Sequence, residues 1–349
     1  MATKGDISSQ TPVVQAWFNY INSQEGKDVI KAAGLVLPGS AAWAVRMNLS
    51  LRTSARELVA HYLCAACACV ALLAVISISA YCILSGLPAL LRIGVGNMVA
   101  NTIWAPTAHV PSFGILYIIA ASLFAAACSV AIGLPLSILT SLFLTEIAPA
   151  PLSRIVSSAI ELLAGIPSVI YGLLGMVYIC PLLYALEKVL FATSTTHNFS
   201  GGSNMLACVC VLVVMILPTM VSVSVTALQA VSDNLRNASY ALGATRLQTI
   251  FKIVLPAAKS GICTGIILAI GRALGEAMAI SMVAGGVVQM PLPFDSVRLL
   301  TTQLVSEMGY AQGLHREALF AVGLVLYLFI IAINVLLAFM RRKKRVYAA

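Results

Sequence analysis

Six stretches of this chain, near residues 62–85, 115–144, 157–182, 205–230, 260–288 and 318–340, are each long and apolar enough to cross a lipid bilayer. A bilayer core takes about 20 apolar residues per helix, and every backbone N–H and C=O inside it must be satisfied within the protein. Runs of this length therefore form helices. Of the 349 residues 60% are hydrophobic and 9% charged, and the mean hydropathy is +0.98, so water is not the main solvent. The fold class expected is all-α integral membrane, with about six transmembrane helices.

The net charge is +9, but the cations gather at the ends of the apolar runs rather than along one face. Arg46, Arg52 and Arg56 precede the first run, and Arg341, Arg342, Lys343, Lys344 and Arg345 follow the last. This is an orientation signal and not a nucleic-acid surface. The same side receives Arg154, Arg236, Arg246, Lys252 and Lys259, whereas the opposite loops offset Arg92, Lys188, Arg298 and Arg316 with Glu187, Asp295, Glu307 and Glu317. Both termini are expected in the cytoplasm, and the basic ends are expected to meet lipid headgroups.

Residues 1–60 read as a cytoplasmic region, with a candidate interfacial helix from Ala41 to His61. No apolar run begins in the first 30 residues, so no secretory signal is expected. The segment Pro151–Leu190 is too long for one straight span, and Gly165, Pro167, Gly172 and Gly175 predict a lead-in helix followed by a kinked span. Most of the nine cysteines lie in apolar runs, where cysteine packs as a small hydrophobe. The chain has no GxxxxGK[ST] loop, GxSxG elbow or HExxH pair, so ATP chemistry, if used, belongs to a partner.

Two polar interruptions stand out. The first, Ser232–Pro256, has two amphipathic halves divided at Gly243. Leu235, Ala238, Ser239 and Leu242 share one stripe, and Leu247, Ile250, Phe251, Val254 and Leu255 another, with Pro256 expected to end the pattern. The second is the pair Arg272 and Glu276, the only charges between Lys259 and Asp295. Arg272 lies twelve residues past Ser260, about 18 Å along a helix, near the bilayer midplane. A charge there costs at least about 2.5–3.5 kcal/mol. At i and i+4 the two can neutralise each other, or the guanidinium can hold two oxygens of a tetrahedral anion. Gly271 and Gly275 leave room for another backbone or for cargo.

The spacing of Ala238, Gly243, Ile253, Leu255 and Pro256 resembles the EAA loop of binding-protein-dependent ABC importer permeases, with Asn237 where the family has glutamate. The resemblance implies a type I importer permease fold and a coupling helix, covering 232–256 and including Ala244, that docks on an ATPase. GRALGEAMA, residues 271–279, resembles the GRAxGETMA signature of phosphate-specific permeases, with Ala277 in place of threonine. The stretch Glu161–Gly172, together with Trp104-x-Pro106 and Phe113-Gly-Ile, is similar to the C type of that family.

The implied function is half of a phosphate pathway in the bacterial inner membrane. The implied partners are an A-type permease, two ATP-binding subunits and an external phosphate-binding protein. The chain itself would bind no cofactor and would not be an enzyme, ATP and Mg residing on the ATPase. Arg272 and Glu276 would face the path, whereas Glu161 either lines it or balances Arg154. The residues leave open the A-type sister, a sulfate or molybdate permease, and an ion-coupled secondary transporter using Arg272 and Glu276.

Overall fold

The computed structural model describes residues 55–194 and 197–345, with side chains described from 59 to 335. The reading of residues 1–54 as a cytoplasmic region with an interfacial helix falls outside these. Residues 55–61, the end of that candidate interfacial helix, instead open the first long helix. Contacts divide the chain into two units, Met1–Ile78 and Ser79–Ala349.

Helix α1 runs Ala55–Ile93, and its side chains from Val59 to Ile78 are all exposed. After the short α2 (Val95–Ala100), strands β1 (Trp104–Ala105) and β2 (Ser112–Phe113) pair antiparallel. Helix α3 (Leu116–Leu142) ends in a π-helical turn, Phe143–Ile147. Next come α4 (Ala150–Gly165), α5 (Ser168–Leu174), a π turn at Gly175–Ile179, and α6 (Cys180–Leu190). Helix α7 is Met205–Gln229 and α8 is Asp233–Ala241. Helix α9 (Arg246–Thr249) passes through a third π turn, Ile250–Val254, into α10 (Leu255–Gly275). Helices α11 (Met278–Val283), α12 (Leu300–Glu307) and α13 (Gly313–Arg345) complete the order.

Among the described residues six helical segments are long and apolar enough to span a membrane: Val59–Ile93, Leu116–Ile147, Ser168–Leu190, Met205–Gln229, Arg246–Gly275 and Gly313–Val335. Two expected spans change. The one near 157–182 is split, because Ile166 (ψ 130) and Pro167 leave helical geometry and separate α4 from a span that runs to Leu190. The one near 260–288 is shifted toward the N-terminus. It stops at Gly275, since Glu276 is extended (φ −73, ψ 126), and residues 278–283 form a separate short helix.

Pro256 does not end the preceding helix. It sits at the start of α10, directly after a π turn, as Pro181 does at the start of α6. A proline ring clashes with the carbonyl four residues earlier and offers no N–H to it. The wider i→i+5 turn removes the need for that hydrogen bond, so the helix continues through the proline.

Helix α7 is the most enclosed span, packing on α3 and α10, with most of its apolar residues buried and Val214 exposed. Cys208 is fully buried there, whereas Cys64, Cys67 and Cys69 lie exposed on α1. Helices α5 and α11 meet at Gly172, where a Cβ would stand 2.7 Å from the Ala279 Cα. Only glycine allows two backbones that close.

Candidate functional site

The loop between the fourth and fifth spans is built from its caps. Ser232 accepts a hydrogen bond from the Asn234 N–H (3.2 Å) and opens α8. Gly243 closes it with φ +80, a conformation that disfavours any side chain. Thr245 and Gln248 then form a reciprocal capping box at the start of α9. The buried hydroxyls of Ser239 and Thr249, 2.8 Å apart, pin the two halves together.

The stripes read from the sequence are divided by this packing. Ser239, Ile250 and Val254 face inward, while Leu235, Leu242, Leu247 and Phe251 are exposed, Leu242 at 90%. Asn237, Ala238, Gly243 and Pro256 are also exposed, and Ala244, Ile253 and Leu255 are half-buried. The second half is not a free short helix, because it continues without a break into the fifth span.

Arg236 was counted in the sequence only as one of several loop charges. Its guanidinium donates to the Leu228 carbonyl in the last turn of α7, to the Val231 carbonyl just past it, to Glu146 Oε1 (3.0 Å) and to Asp233 Oδ1 (3.1 Å). The partners Leu228 and Glu146 lie 8 and 90 residues away, so no local pattern could mark the contact.

The second site gathers where α10 ends. Arg272 is half-buried, and its Nη1 donates to Thr219 Oγ1 over 3.4 Å. Thr219 is about 21 Å along α7 from Met205 and about 15 Å from Gln229 at 1.5 Å per residue, so the guanidinium sits near mid-span. Its charge also reaches the Tyr171 hydroxyl electrostatically. That hydroxyl donates to the Leu163 carbonyl (2.6 Å), which also accepts the Ile166 N–H (3.2 Å) and gets no i+4 donor from Pro167.

Arg272 and Glu276 form no ion pair, contrary to one reading of their spacing. The helix stops between them, so i and i+4 no longer share a face. The Glu276 carboxylate instead accepts from the Ala279 N–H (3.0 Å), and its carbonyl accepts from the Thr301 hydroxyl (2.6 Å). Arg272 keeps its other donors uncommitted among the described residues. Among the described residues, a methyl group added at Gly271 or Gly275 would meet no atom of another element within 4 Å.

Glu161 is exposed on α4 and makes neither a hydrogen bond nor an ion pair with Arg154 among the described residues. The structure does not bring it into contact with Arg272. Thr219 is the residue to which the arginine donates, and it lies in none of the motifs read from the sequence.

The opposite ends of the spans carry buried carboxylates. Glu307 accepts from Arg298 (2.6 Å), from the Trp104 indole (2.9 Å) and pairs with His315 (2.7 Å), beside a cavity of about 470 Å³. Glu187 is fully buried and takes the Ser200 N–H (3.0 Å), the Ser200 hydroxyl (3.2 Å) and His197 (2.8 Å).

The family described as binding-protein-dependent transport system inner membrane component matches residues 133–346. The chain is 36% identical over 280 residues to the probable ABC transporter permease protein YqgH of Bacillus subtilis (strain 168), covering 78% of this chain and 87% of that one. It is 32% identical over 243 residues to the phosphate transport system permease protein PstC of Mesorhizobium japonicum (strain LMG 29417 / CECT 9101 / MAFF 303099), covering 66% of this chain and 73% of that one. Its fold is similar to a chain of the crystal structure of a bacterial alginate ABC transporter in complex with alginate pentasaccharide-bound periplasmic protein. There the TM-score is 0.58 at 15% identity, over 82% of this chain and 96% of that chain. With six membrane-length helices, an exposed loop before the fifth span and a match over residues 133–346, this chain belongs to the family of binding-protein-dependent transport system inner membrane components.

Proposed function

We propose that this chain is the C-type permease subunit of an ATP-driven importer for inorganic phosphate. It forms half of the pathway beside an A-type permease. An external phosphate-binding protein delivers the cargo, and two cytoplasmic ATP-binding subunits, which hold ATP and Mg, drive it. Both termini then lie in the cytoplasm with the 232–256 loop, whose exposed Leu235, Leu242, Leu247 and Phe251 supply an apolar docking face for an ATPase. Asn237, in place of the family's glutamate, leaves that face without a negative charge at this point. The likeness to phosphate transport permeases supports the choice of cargo.

The observation that carries this reading is Arg272, held mid-span by one long hydrogen bond while Glu276 is turned to α11. A guanidinium with free donors binds two oxygens of a tetrahedral anion in a planar fork. The carboxylate oxygen of Glu276 not used by Ala279 can accept the hydroxyl of hydrogen phosphate, which sulfate does not possess. Glu161, exposed on α4, can line the entrance to the same path.

The test is uptake of labelled phosphate by cells or vesicles carrying Arg272→Ala. Uptake should fall by more than tenfold, and excess sulfate should not compete in the wild type. Normal phosphate transport by a folded Arg272→Ala protein would remove Arg272 from the mechanism. Uptake that survives ATP depletion with the ion gradient intact would instead identify a secondary carrier.

A further inference from the structure

Arg236 joins three elements through one side chain. It stands on α8, and it donates to the Leu228 carbonyl in the last turn of α7 and to the Val231 carbonyl just past that helix. It also pairs with Glu146 in the π turn that ends α3. The Arg236 side chain is 16% exposed and that of Glu146 is 9% exposed, so the pair is largely withdrawn from water. Asp233, its fourth partner, is 88% exposed and contributes little.

The last carbonyls of a helix have no partner within it, and a cation there satisfies them and complements the dipole. An arginine fork can reach those carbonyls and a carboxylate together, because its five N–H donors are fixed in one plane. A lysine offers one compact charge and cannot span the same set. The result is a rigid tie from α8 to the inner ends of the second and fourth spans. Helix α7 carries that tie at one end and, ten residues before Gln229, the Thr219 hydroxyl that meets Arg272.

Building on the proposed function, we infer that Arg236 is a positioning residue that carries displacement of the 232–256 loop into α3 and α7, coupling ATP hydrolysis to phosphate movement. The exposed apolar residues of the loop take the push from the ATPase. Arg236, facing the opposite way, hands it to the spans. Glu146 keeps the fork in place and links α3 to the same motion.

The experiment uses vesicles containing the complete transporter, with its partner permease, ATP-binding subunits and external phosphate-binding protein. Phosphate uptake and ATP hydrolysis are measured in the same preparation. Arg236→Met should lower phosphate moved per ATP at least tenfold while hydrolysis continues. Arg236→Lys should restore part of that ratio, Glu146→Gln should lower it by about threefold, and Asp233→Asn should leave it at the wild-type value. If Arg236→Met does not assemble, the lysine and glutamine variants read the same ratio. Uptake and hydrolysis falling in parallel, with their ratio unchanged, would show a purely structural arginine and overturn the inference. Wild-type vesicles that hydrolyse ATP but move no phosphate would refute the functional reading, and this one with it.

Discussion

Replacing Gly172 by alanine tests how closely α5 must approach α11. The added methyl would lie 2.7 Å from the Ala279 Cα, 2.9 Å from its carbonyl oxygen and 2.9 Å from the Met282 sulfur. Carbon atoms rest about 3.5–4.0 Å apart, so the two helices must separate by roughly 1 Å. The methionine tip can swing aside, but the two backbone atoms cannot. Overpacking of this kind costs about 1–3 kcal/mol. In a chain of 349 residues each kcal/mol lowers the melting temperature by roughly 1–2 °C. Helix α11 is also the element whose Ala279 N–H holds the Glu276 carboxylate, so displacement should reach the arginine site and lower phosphate uptake. The assay is a thermal melt of the purified transporter beside Gly165→Ala, where a methyl would meet no atom within 4 Å. A Gly172→Ala protein melting within 1 °C of wild type would refute the close-packing argument.

Other outcomes follow from the same geometry. Gly271→Ala and Gly275→Ala should melt no lower than wild type, since alanine is worth up to about 1 kcal/mol over glycine in a helix and, among the described residues, no atom of another element opposes the methyl. Both should nevertheless reduce labelled phosphate uptake, and undiminished uptake in both would place the cargo path elsewhere. Thr245→Ala removes the capping box that opens the fifth span and should cost about 1 kcal/mol, read as a lower melting temperature. Glu187→Ala strips the buried acceptor from the Ser200 N–H and His197, at a cost of about 1–3 kcal/mol. Faster proteolysis of the 191–204 loop, in the folded protein, is the accompanying signature.

Helix number was legible from local properties. An apolar run of twenty residues has one stable form in a bilayer whatever its neighbours, and Ser232, Gly243 and Thr245 announce caps and a turn over a few residues. The break at Pro167 was legible too, because a proline disfavours helical geometry in the residue before it. The continuation through Pro256 was not. The local rule against proline within a helix does not foresee the wider turn that precedes Pro256, because the π turn at Ile250–Val254 is not written in any short motif.

The same division runs through the site. Sequence by itself placed the charge of Arg272 within an apolar run, where desolvation cost depends only on position along the run. It also determined that the loop before that span is amphipathic and punctuated by glycine. Tertiary structure alone decided that Glu276 turns away to α11, that Thr219 is the partner of the arginine, and that Arg236 binds α7 and Glu146. The physical reason is range. Hydropathy and capping act within one or two helical turns, whereas a hydrogen bond between residues 53 or 90 positions apart exists only once the packing of whole helices has set their ends side by side.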